Sequence, residues 1–306
     1  MMLDAAEVAS RFLHYAAVTM LFGAVWFFFR ELPAEPKAEG STLRTPAGSW
    51  LIGLVILAIA SGLAWFAFTT ARITQTLSAA VDPQALADVL RETDFGPLWS
   101  TRILLTIVMF AVLARRTMLP SRSVNALHVG ISAALLASLA LTGHARAEEG
   151  AVASLHVLAD ALHLLAAGLW LGGLLGLFVL LTPARSGRDD KDAIEALRSF
   201  AGTGSIAVAT LIVTGVINTA LLVGSIEGMV STTYGRLLLC KLALFIAMLS
   251  LAAANRFALV PHLCQPQPLR VRTLAVLKRH VLIEQIAGLG VLMIVSVLGA
   301  LAPPAL

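Results

Sequence analysis

Residues 156–181 read HVLADALHLLAAGLWLGGLLGLFVLL, a run that holds one aspartate and two histidines but no lysine, arginine or glutamate. At 1.5 Å per residue such a run exceeds the roughly 30 Å of bilayer hydrocarbon, so it reads as a membrane crossing inside a helix over 152–182. Runs of the same kind lie near 8–29, 49–71, 98–114, 124–142, 203–224, 235–259 and 280–301. Together they predict an all-α polytopic membrane bundle of about eight transmembrane helices. Composition agrees: 58% of residues are hydrophobic and 13% charged, with a mean hydropathy of +0.86, which excludes an ordinary soluble globular protein. The first run follows Asp4 and Glu7 rather than a basic stretch and ends at Arg30 without a small-residue cleavage site, so it reads as a retained helix. Prolines punctuate the loops at Pro33, Pro36 and Pro46, at Asp82-Pro83 and Gly96-Pro97, and at Pro261, Pro266 and Pro268. No internal repeat and no extramembrane domain stands out. Residues 1–306 read as a single transmembrane domain, with 82–92 as a short surface helix.

Charge sets the expected orientation. Of 22 lysines and arginines, fifteen fall in the odd-numbered loops and their helix ends and seven on the other side. Cytoplasmic loops carry the excess, so the odd loops are expected inside and both termini outside, in the periplasm. Loops 72–97 and 143–151, which are acidic, then lie outside. The net charge of +4 therefore serves topology and does not imply a nucleic-acid partner. Cys240 falls inside a helix and Cys264 in a loop at another depth, which argues against a disulfide between them.

Ionisable residues at helix depth need a partner or a wet cavity, so the few that occur carry the information. The densest group is His156, Asp160 and His163. At about 100° per residue the three fall within an arc of about 60°, on one helical face near the outer end. Two imidazoles and a carboxylate suit a divalent or cuprous ion, with the carboxylate as ligand or as the acceptor that fixes a histidine tautomer. The plainer reading has His156 in headgroup water and Asp160 paired with Arg102 or Lys241. His14 lies about 24 Å up its helix from Arg30, and His163 about 33 Å up from Arg185, so the two reach similar levels. His144, in the adjacent loop, can approach from outside. His14 and His144 are each equally consistent with an interfacial histidine held by water.

Below this group a possible transport path comprises Asn218, Cys240 and Lys241. Thr210, Thr214 and Asn218 form an i, i+4, i+8 row, read as interhelical hydrogen bonding beside close packing at Gly202 and Gly204. Cys240 reads first as a small packing residue and second as a soft ligand that Lys241 activates. On the cytoplasmic side His280 and Glu284 are spaced i, i+4, as an exit site or as a carboxylate paired with Arg279 or Lys278. There is no nucleotide loop and no Cys-x-x-Cys pair, which argues against ATP-driven pumping by this chain alone; the chain is expected not to be an enzyme.

The run HVLADALHLLAAGLWLGGL (156–174) resembles the copper resistance protein D (CopD) family of bacterial inner-membrane proteins. So do FLHYAAVTMLFGAVWFF in the first helix, TGHA at 142–145, TGVIN at 214–218 and YGRLLLCKLALF at 234–245. The resemblance covers nearly the whole chain. It implies a multi-pass copper transport or homeostasis protein with His14, His156, Asp160 and His163 as metal residues, and a periplasmic CopC-like carrier as partner. The expected cargo is Cu(I) or Cu(II), with uptake favoured over export. A haem b electron-transfer protein is the alternative, with histidines of helices one and five as axial ligands and Gly23, Gly168 and Gly172 leaving room for the macrocycle.

Overall fold

The computed structural model describes residues 2–31, 46–115, 122–142, 150–182, 190–264 and 267–304. Its α-helices, in chain order, are α1 (Met2–Trp26), α2 (Pro46–Ile73), α3 (Pro83–Glu92), α4 (Phe95–Arg115), α5 (Arg122–Ala137), α6 (Gly150–Leu180), α7 (Asp190–Val223), α8 (Ile226–Ser231), α9 (Thr233–Ala254) and α10 (Gln267–Leu298). Eight of them, all but α3 and α8, are long and apolar enough to cross a membrane. No strand occurs among the described residues.

The expected crossings are all present, and two extend beyond their apolar runs. α7 starts at Asp190 rather than 203, and α10 at Gln267 rather than 280. Hydropathy marks where hydrocarbon begins. A helix rich in leucine, alanine and arginine continues past that edge because water satisfies its charged turns. The expected surface helix is α3, where Asp82 accepts a hydrogen bond from the Gln84 amide at 3.0 Å and Pro83 opens the first turn. α5 tightens into a 3₁₀ turn over Ser138–Thr142, and α1 loosens into a π turn over Phe27–Glu31.

Two apolar cores meet at a shared wall. α1, α2, α4 and α5 enclose one, built on Leu21, Val55, Trp99, Met109 and Leu136. α6, α7, α9 and α10 enclose the other, with Trp170, Leu211, Met248 and Val281. α1 and α6 contribute to both. They touch backbone to backbone: a Cβ on Gly172 would lie 2.5 Å from the Gly23 Cα and 2.7 Å from the Met20 carbonyl oxygen. A Cβ on Gly168 would meet Leu136 Cδ2 at 2.6 Å and Phe22 Cδ1 at 2.8 Å. Small residues let membrane helices approach this closely, where dispersion rather than water exclusion drives association. These glycines therefore leave no room for a macrocycle, because helix and side-chain atoms already fill the space. Gly202 and Gly204, expected at a close contact, have open space where a Cβ would go; the small-residue packing occurs on α6 instead.

Candidate functional site

The end of the bundle that carries Met2, Ile73, Phe95, Gly150 and Thr233 holds two separate polar groups. The first is built on α6. His163 Nδ1 lies 2.9 Å from Thr214 Oγ1 of α7, and that hydroxyl donates its own proton to the Thr210 carbonyl at 2.6 Å. The threonine oxygen is thus left as an acceptor, so His163 holds its proton on Nδ1 and presents a lone pair at Nε2. One turn along, Asp160 Oδ1 accepts from Asn218 Nδ2 at 3.4 Å. Lys241 and Tyr234 of α9 and Tyr15 of α1 all lie within electrostatic reach of Asp160. Lys241 reaches His163 as well. His156, a turn nearer the helix start, is buried. One face of α6 thus carries imidazole, carboxylate and imidazole against a polar strip of α7 and α9. Of the two partners considered for Asp160, the structure brings up Lys241.

Arg102 goes elsewhere. Its Nε donates to Ser138 Oγ at 3.0 Å, and its Nη2 to the Ser138 carbonyl at 2.5 Å and Thr142 Oγ1 at 3.0 Å. The guanidinium lies over the rings of Trp65 and Trp99, 5.9 and 5.5 Å from their centroids. His14 belongs to this second group. Its Nδ1 is 3.1 Å from the Ala58 carbonyl of α2, and its ring lies 5.7 Å from Trp65 and 5.8 Å from Trp99. The imidazole therefore faces α2 and α4, while His163 faces α7. Among the described residues, no group of three or more histidines, cysteines, aspartates and glutamates is gathered so as to hold a metal ion. His144 lies outside the described residues.

Of the path residues, Asn218 and Lys241 border the Asp160 group, whereas Cys240 is exposed on the outside of α9. Toward the other end, His280 Nδ1 donates to Asn255 Oδ1 at 2.7 Å, and Asn255 Nδ2 donates to Glu284 Oε1 at 2.7 Å. The Trp170 indole hydrogen-bonds to the same carboxylate. An asparagine one helix away therefore satisfies the i, i+4 pair.

Sequence reasoning did not single out several residues that shape these groups. Glu7 is buried and binds Arg11 at 2.8 Å and Arg72 at 2.5 Å. Arg11 also stacks on Trp65, 5.4 Å from its centroid, and donates to the Ser296 carbonyl at 3.3 Å. The available signal was the i, i+4 spacing of Glu7 and Arg11 inside an apolar helix. Trp65 and Trp99 carried no such signal, since tryptophans of membrane helices are commonly interfacial.

Two family models match the chain. That of the copper resistance protein D-like N-terminal domain covers residues 2–155, and that of copper resistance protein D covers residues 194–298. The His156, Asp160 and His163 face falls between the two matches. Copper resistance protein D of Pseudomonas syringae pv. tomato is 31% identical over 264 residues, 84% of this chain and 83% of that protein. Inner membrane protein YebZ of Escherichia coli (strain K12) is 29% identical over 302 residues, 97% of this chain and 98% of that one. Copper transport protein CutJ of Bacillus subtilis (strain 168) is 28% identical over 262 residues, 83% of this chain but 46% of that protein. No solved structure matches the chain.

Proposed function

Because the chain belongs to the copper resistance protein D family, we propose that it is an inner-membrane protein that takes copper at the periplasmic face and passes it inward along α6. Copper-related membrane function follows from the family. The site, the side of entry and the direction are the finer reading, and the observation that carries it is the fixed tautomer of His163. A histidine whose Nδ1–H is held by Thr214 presents its Nε2 lone pair in one orientation, the arrangement metal-binding imidazoles use. Asp160 supplies the negative charge that a cation needs, and Lys241 balances that charge when no cation is present.

His156 and His163 stand about 10 Å apart along the helix, too far to share one ion. Copper in this reading binds His156 first, then moves past Asp160 to His163, each step exchanging one nitrogen or oxygen donor for the next. From there the path runs beside Asn218 and Lys241. A CopC-like carrier in the periplasm is the donor this reading implies. Uptake is favoured over export because the donor groups concentrate at the end of the bundle that charge asymmetry assigns to the outside.

The test is cellular copper content in cells lacking the protein, cells restored with it, and cells restored with a His156→Ala, His163→Ala double variant. Uptake along α6 predicts a fall in copper that the native chain reverses and the double variant does not. Equal copper in all three removes the transport claim.

A further inference from the structure

We propose that Glu284 is a proton-binding site whose occupancy opposes copper on α6, so that copper arriving at His163 sends a proton out toward the cytoplasm. The inference rests on the copper reading above and adds a second ion to it.

Glu284 stands midway along the apolar crossing Leu269–Leu298 and is 1% exposed. Its hydrogen-bond partners are the Asn255 amide at 2.7 Å and the Trp170 indole, both neutral. A carboxylate in hydrocarbon is costly, and a chain keeps one there where it pairs with a cation or trades a proton. No cation pairs with this one: the ion pairs among the described residues both involve Glu7. Arg256, next to Asn255, turns to the Ala201 carbonyl of α7 at 3.2 Å. Lys278, nearly two turns back on α10, lies 5.4 Å from the centroid of the Phe178 ring. Arg11 of α1 meets α10 at Ser296, about 18 Å further along the helix. Lys241 is about 21 Å along α9 from Asn255, and Asp160 about 15 Å along α6 from Trp170. The remaining titratable neighbour is His280, one turn toward the start of α10. Asn255 joins it to Glu284 through two bonds of 2.7 Å. His280 is partly buried, and the proposed orientation puts its end of α10 at the cytoplasm. It therefore stands between Glu284 and water.

The surroundings of the acid suit a proton rather than a metal. Indole and amide N–H groups already point at the carboxylate, where they would repel a metal ion, whereas a proton needs a single lone pair. Asn255, the bridging residue, opens the π turn Asn255–Leu259, a local widening of the helix that recurs at functional sites. Trp170 ties the acid to the copper route. It follows His156 and His163 at seven-residue steps, so all three share one face of α6, and about 10 Å separates His163 from Trp170 along the axis. Glu284 is the first ionisable group that this stripe meets beyond His163. At such a range inside the bundle, a cation on His163 and a proton on Glu284 disfavour each other by on the order of tenfold.

The test uses the purified full chain and Cu(I) under reducing conditions. In infrared difference spectra, copper should remove the absorbance of a protonated carboxyl from the native chain, and Glu284→Gln should lack that loss. Copper affinity, from competition with a chelator, should rise with pH more steeply in the native chain. Glu284→Gln stays neutral throughout, so the two curves should meet at low pH and part by about tenfold at high pH. Lys241 and the histidines titrate in both chains, so the difference isolates Glu284. A melting curve shows that the variant is folded. An unchanged carboxyl band when the native chain binds copper overturns the proposal without recourse to any variant. Parallel pH curves for the native chain and folded Glu284→Gln overturn it as well. Failure of the native chain to hold copper is a different result, which removes the α6 reading and this coupling together.

Discussion

Thr214 works at the scale of a single hydrogen bond. Its hydroxyl donates a hydrogen bond to the Thr210 carbonyl and so obliges His163 to donate from Nδ1. In Thr214→Val that acceptor disappears and the imidazole can turn or change tautomer. Copper affinity in a competitive titration should fall ten- to a hundredfold, the usual effect of losing the partner that orients a metal-binding histidine. Thr214→Ser should restore it, and equal affinities in all three would remove the orienting role. Glu7 is a stability residue instead: it is buried between Arg11 and Arg72, and Glu7→Gln leaves two guanidiniums without their counter-charge. A loss of about 3–5 kcal/mol is expected, read as a lowered melting temperature of the purified chain. The face shared by His156, Asp160 and His163 was legible in the sequence because one helix fixes the angles between its own residues. His14 was not, because counting residues along a helix gives height but no azimuth. Tyr15, about 100° further round, is the residue of α1 within reach of Asp160, and His14 faces α2.

Hydropathy located every crossing because lipid demands a continuous apolar run with all backbone groups bonded internally. The ends of α7 and α10 escaped it, since nothing apolar marks a helix that continues into water. Packing partners escaped it as well. Glycines occur on both α6 and α7, yet only those of α6 meet another backbone. Gly172→Leu should therefore drive α1 and α6 apart and abolish a monodisperse, folded chain in size-exclusion chromatography, whereas Gly202→Leu should elute as the native protein does. Equal behaviour of the two variants would contradict the crossing described for α1 and α6.

Two four-helix groups meet along α1 and α6, and the family models match most of each, one covering 2–155 and the other 194–298. The stripe of α6 lies on the strap between them, where α1 from one group and α7 and α9 from the other reach Asp160. That placement suits a route running between the halves. The proposed orientation puts α3 outside and the start of α10 inside. A membrane-impermeant maleimide added to intact spheroplasts should label Gln84→Cys and spare Arg272→Cys, and the reverse pattern would invert the topology. The central claim is that copper is held along α6. Its most direct test is copper retained by the purified chain after gel filtration, native against the His156→Ala, His163→Ala double variant. Stoichiometric copper is expected in the first and none above buffer in the second; equal retention by both, with folding intact, would remove α6 as the copper-holding helix.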